Sequence, residues 1–102
     1  MSNLVAFDDL GQLDGGDLRA VFGQVDPLQV LFALSGSTRG LRQQLINKLP
    51  SASATRMLLE IDLLEPVPFE TVQNAQQLVV DVLCRLSREG HIAFDDPADM
   101  VA

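Results

Sequence analysis

PFETVQNAQQLVVDVLCRLSREG, residues 68–90, decides the fold. Its apolar residues fall at Val72, Ala75, Leu78, Val79, Val82, Leu83 and Leu86, in steps of three and four. At about 100° per residue they share an arc about 140° wide, the signature of an amphipathic helix. Gln73, Gln76, Gln77, Ser87 and Arg88 take the other side. Pro68 stands where a helix start tolerates proline. Glu70 falls in the first turn and Arg85 and Arg88 near the last, each with the charge that suits the helix dipole there. Gly90 can adopt the left-handed conformation that ends a helix. About 20 residues at 1.5 Å each make a rod about 30 Å long, the width of a small domain. One apolar stripe along such a rod requires the rest of the chain to pack on it.

Outside this stretch, composition narrows the class. The 102 residues suit a single domain, residues 1–102, with one core. Hydrophobic residues make up 47%, with five Phe and no Trp or Tyr, so the core is mainly aliphatic, as in packed helices. The net charge of −7 argues against nonspecific nucleic-acid binding and against an anionic membrane surface. Cys84 is the one cysteine, which removes an internal disulfide and a thiolate metal cage and suits a reducing compartment. No apolar run approaches the roughly 18 residues a membrane span needs. MSNLVAFDDL at the start has neither the basic nor the apolar region of a signal peptide.

In chain order, Leu4 to Leu10 reads as a short helix or turn interrupted by Gly11, Gly15 and Gly16. Asp14 or Gly16 starts a second helix, Asp17 to Gln24, with Leu18, Val21, Phe22 and Val25 on one face. Asp26-Pro27 pairs an N-cap with a proline at the first helical position. The third helix, Pro27 to Leu34, is apolar nearly all round and reads as the most buried element. Ser37 or Thr38 caps a fourth helix reaching about Leu49, with Leu41, Leu45 and Leu49 inward and Arg39, Arg42 and Lys48 outward. Pro50 breaks it. The fifth helix, Ser51 to about Leu64, turns Ala54, Met57, Leu58 and Ile61 inward. Glu65-Pro66-Val67-Pro68 is an extended link, because a residue before proline avoids the helical region. After Gly90, Ile92 and Phe94 tuck back onto the body and Asp95 to Ala102 forms a flexible tail. No stretch alternates at period two. The expected fold class is all-α: six helices, compact, with a long final helix and a short extended tail.

The chain offers little for catalysis. His91 is its one histidine, so neither a metal constellation nor a Cys–His pair across the helix end is expected. Cys84 lies nearly opposite the core stripe on the wheel, packed under a neighbour or modestly exposed. LDGGD lacks the Lys and Ser/Thr of a phosphate loop. Asp8-Asp9 and Asp95-Asp96 read as caps or solvated loops. No catalytic, cofactor-binding or metal-binding residue is expected, and the residues alone stop at an acidic helical interaction module.

An ordered set of motifs goes further. Phe7-Asp8-Asp9-Leu10, Gln24-Val25-Asp26 and Ala33-Leu34-Ser35-Gly36 stand in series, followed by Glu65-Pro66-Val67, Ala75-Gln76-Gln77 and Leu86-Ser87-Arg88-Glu89-Gly90. Together they resemble the C-terminal domain family of the bacterial flagellar motor switch protein FliG, without a gap from Phe7 to Ile92. The resemblance implies a six-helix subdomain at the end of a longer protein, after armadillo-like domains. It also implies a place in the cytoplasmic switch ring at the inner face of the membrane, at the flagellar base. The implied partners are the stator's cytoplasmic loop and other switch-complex proteins, with no nucleic acid and no membrane insertion. The family's hinge motif, Met-Phe-x-Phe, falls at Leu4-Val5-Ala6-Phe7, where only Phe7 is kept; residues 1–6 are then a hinge-like lead-in. The chain is either an excised terminal piece or a free-standing relative.

In that family, charges on the fifth helix and on one loop before it pair with opposite charges on the stator. By the resemblance, the loop lysine is here Ser35, the first arginine Ala52, the paired aspartates Leu59 and Glu60, and the later arginine Leu64. Glu60 alone keeps its charge. Arg56, one turn before Glu60, adds a cation suited to an exposed i,i+4 pair. The candidate interface is therefore Ser35, Ala52, Arg56, Leu59, Glu60, Leu63 and Leu64. Two functions follow: a motor-switch and rotor module contributing to torque and rotation switching in motility and chemotaxis, or a divergent non-motor adaptor. The adaptor would bind a partner, or a second copy of itself, through the leucines of the fifth helix.

Overall fold

In a computed structural model describing residues 5–92, the long helix runs Phe69–Arg88 and carries the core. Four shorter α-helices and a 3-10 helix wrap it: the 3-10 turn Phe7–Gln12, then α1 Gly15–Phe22, α2 Pro27–Ser35, α3 Arg39–Ile46 and α4 Ser51–Leu63, with the long helix as α5. No strand occurs among the described residues. The expected tail 95–102, Phe94 and the first four residues of the lead-in lie outside them.

Each start has its local cause. Asp9 reaches back to the Ala6 N–H at 2.9 Å and fixes the 3-10 turn. Of the two starts open for the next helix, Asp14 is the one used: its carboxylate accepts the Asp17 N–H at 2.8 Å. Asp26 accepts from Leu28 N–H at 2.9 Å with Pro27 behind it in the first turn of α2. Thr38 rather than Ser37 caps α3, accepting from Leu41 N–H, while the Ser37 hydroxyl donates to the Leu34 carbonyl. Pro68 lies at the N-cap of α5, marking the helix start as expected. At the far end, His91 N–H donates to the Leu86 carbonyl and Gly90 N–H to the Ser87 carbonyl, with Gly90 at φ 77°. That pair of hydrogen bonds around a left-handed glycine is the closure Gly90 was expected to supply.

α2 lies along α5 as the principal contact of the core. Val30, Leu31, Ala33 and Leu34 are buried, but Leu28, which the all-round apolar pattern places inside, is 49% exposed. On α5 the buried set is Val72, Ala75, Val79, Val80, Val82, Leu83, Cys84 and Leu86, while Leu78 is 45% exposed. The buried arc is therefore about 200° wide and rotated toward Val80 and Cys84. Cys84 lies inside it rather than opposite the core. Neighbours cover α5 on two flanks, the 3-10 turn and α1 as well as α2, and one stripe does not describe that. Ile92 returns to the core as expected.

Two basic side chains expected outside are used internally. Arg42 donates from Nε to the Leu34 carbonyl at 3.1 Å and from Nη2 to the Ser35 carbonyl at 3.2 Å, closing the C-terminus of α2. Lys48 donates to the Gly11 and Leu13 carbonyls at 2.7 and 2.6 Å, tying the turn after α3 to the end of the 3-10 turn. Both donate to carbonyls at or just beyond the C-terminal ends of helical segments, where the helix leaves acceptor capacity spare.

Candidate interface on the fourth α-helix

The expected fifth helix is α4, and its sequence leaves it peripheral. Ile61 alone is fully buried, with Ala54, Met57 and Leu64 half-buried on the same side. Leu58, expected inward, is exposed. The opposite arc, about 100° wide, carries Ala52, Arg56, Leu59, Glu60 and Leu63. All five are exposed, Leu59 by 59% and Leu63 by 74%, so no other described element covers the leucines. Arg56 Nε lies 3.7 Å from Glu60 Oε1, the i,i+4 pair that their spacing allows. Both ends are solvated, so the pair contributes little to stability and remains available to a partner.

Ser35 and Leu64 stand apart from this row. The Ser35 hydroxyl donates to the Phe32 carbonyl of its own helix, and its carbonyl accepts from Arg42. Leu64 turns inward onto the core as α4 ends. The two meet across an open groove of about 720 Å³, which Asp62, Glu65 and Phe69 also border. Phe69 is 75% exposed at the first residue of α5. The seven candidates thus divide into a five-residue face and a two-residue groove wall.

A second groove flanks α4 on its other side, about 430 Å³ in volume. Phe22, Leu31, Leu49 and Met57 form its floor and Arg19, Ser53, Arg56 and Glu60 its rim. Arg19, Phe22 and Leu49 were not marked by the sequence as site residues. Phe22 and Leu49 continue inward-facing rows and read as core, and only the packed fold shows them incompletely covered.

Among the described residues no three metal-capable side chains converge, and no helix is long and apolar enough to cross a membrane.

The model of the FliG C-terminal domain matches residues 1–94. The chain is similar to the flagellar motor switch protein FliG of Thermotoga maritima, 26% identical over 91 residues that make up 89% of this chain and 27% of that protein. It is 25% identical to FliG of Aquifex aeolicus over 91% of this chain and 28% of the relative. It thus spans little more than a quarter of the curated relatives' length. A crystal structure of a FliG fragment from H. pylori superposes with a TM-score of 0.79 at 26% identity, covering 88% of this chain and 40% of that one. Full-length FliG from Aquifex aeolicus shares the fold at a TM-score of 0.77 and 24% identity, over 85% of this chain and 27% of that one.

Proposed function

This chain belongs to the FliG C-terminal domain family, and on that footing we propose that it serves as the rotor-side module that meets the stator's cytoplasmic loop through the outward face of α4. The family's domains are structural parts of a motor switch, not enzymes. One observation carries the proposal: Ala52, Arg56, Leu59, Glu60 and Leu63 form an uncovered row on the helix that the family resemblance marks for torque. Arg56 and Glu60 supply opposite charges one turn apart, which orient an incoming charged segment. Leu59 and Leu63 supply area that a partner can dry. Switch-complex neighbours and a place at the flagellar base belong to the same proposal.

The test is charge reversal. Glu60→Arg and Arg56→Glu are each expected to weaken loop binding and slow motility, with the double reversal restoring part of both. Normal swimming in both single variants would overturn the stator reading.

The leucines favour a second reading, a non-motor adaptor that kept the fold. Leu59 and Leu63 are the two most exposed large aliphatic side chains described, and of the charges the resemblance implies around them only Glu60 remains. That reading expects a contact insensitive to salt, with a partner or a second copy, and abolished by Leu59→Asp. An association that persists in Leu59→Asp removes it.

A further inference from the structure

The α4 face continues past Glu60 into the groove between α4 and the α1–α2 corner. Three of the six half-buried hydrophobics that pack on the core are Phe22, Leu49 and Met57, and all three line this groove. Beside α4, then, these side chains at the edge of the core are only partly covered. In a chain of net charge −7, the rim carries two of seven basic residues, Arg19 and Arg56, against Glu60 alone. The rim is locally positive by one charge, two cations less one acid. Beyond about 8 Å the acidic remainder of the surface is largely screened at physiological salt, so the rim sets what is recognised at contact. Arg56 and Glu60 belong both to the outward row and to this rim, which makes row and groove one surface.

We infer that this groove takes an extended partner segment with an apolar side chain inserted on Phe22, Leu49 and Met57 and a neighbouring carboxylate held by Arg19 and Arg56. It rests on α4 being the contact helix and adds the chemistry of the partner: acidic and apolar together. A volume of about 430 Å³ sits at the small end of ligand pockets, which span about 300–1,000 Å³, and suits a side chain rather than a folded domain. The planar guanidinium favours a carboxylate over a neutral polar group because it can donate two parallel hydrogen bonds. An apolar anchor seated under a charged rim is also the arrangement in which a few residues carry most of the binding energy.

The experiment is an NMR titration of the full chain with three end-capped pentapeptides: Phe flanked by two Asp on each side, Phe flanked by Lys, and Ala flanked by Asp. The acidic Phe peptide is expected to shift the methyls of Leu31, Leu49 and Met57 and the ring of Phe22. The lysine peptide should bind at least about fivefold more weakly, about 1 kcal/mol, and the alanine peptide should leave the groove unshifted. Arg19→Glu, an exposed change that leaves the fold intact, should erase the preference for the acidic peptide. Equal binding of the acidic and lysine peptides, or shifts confined to Leu59 and Leu63, would overturn the inference. A stator loop that shifts α4 but not the groove removes the groove alone. A loop that shifts neither, alongside a groove that prefers the acidic peptide, removes the stator reading alone.

Discussion

At Gly36 the contact between α2 and α5 admits a hydrogen atom and nothing larger. A Cβ there would run into the Val72 side chain, on a helix whose other side is already packed. Gly36→Ala is expected to lower stability by about 1–3 kcal/mol, read from the urea midpoint, because the short, β-branched Val72 side chain or the backbone must shift to make room. Gly40 makes the contrast. Its Cβ would meet nothing within 4 Å, and it lies inside α3. Gly40→Ala should therefore raise stability by up to about 1 kcal/mol in the same assay, through helix propensity and a less flexible unfolded chain. Arg42 is the other residue whose worth depends on place. Replacing it with Met keeps the stem and removes the guanidinium from the Leu34 and Ser35 carbonyls. The expected cost is about 1–2 kcal/mol, below that of a buried charged bond because the site is half open. An unchanged urea midpoint would mean that water closes the end of α2 equally well.

Among the elements, α4 and α5 take opposite parts. α5 buries eight residues and α4 one. Leu83→Ala in α5 should cost about 2–5 kcal/mol, the range for a fully enclosed leucine. Leu59→Asp in α4 should change stability by no more than about 0.5 kcal/mol while removing contact with a partner, so that folding and binding separate cleanly. Native-state hydrogen exchange should show α4 amides opening well before those of α5. These contrasts also mark what the sequence could reveal. Periodicity located all six helical elements, and cap chemistry at Asp26 and Gly90 located ends to the residue. The row on α4 was marked by the family resemblance rather than by periodicity, which set only the inner side of that helix, with Ile61 buried as expected. Periodicity placed Leu78 inside, where 45% of it is exposed, and set Cys84 nearly opposite the stripe, packed under a neighbour or modestly exposed, where it is buried. A helical wheel ranks side chains by phase, but the neighbours decide which flank is covered. Long basic side chains were misplaced for a similar reason. Arg42 and Lys48 point outward by phase, yet their stems are long enough to reach open carbonyls on another element. The groove beside α4 left no mark in the pattern, since Phe22, Leu49 and Met57 come from three elements and read singly as core.

The chain as a whole, of net charge −7, presents, among the described residues, an uncovered row on α4 that mixes two leucines with an opposite-charge pair. By the resemblance, the family's contact helix carries more charge, and such a helix would bind by attraction that salt screens. Here the leucines should leave a residue of binding that salt does not remove. The most direct measurement is an NMR titration of this chain with the stator's cytoplasmic loop from the same organism, at low and at moderate salt. The expected result is a set of shifts centred on Arg56, Leu59, Glu60 and Leu63, with affinity that falls with salt to a nonzero floor. No shift on α4 at millimolar loop, or shifts confined to other faces, would contradict the assignment of α4 as the torque contact.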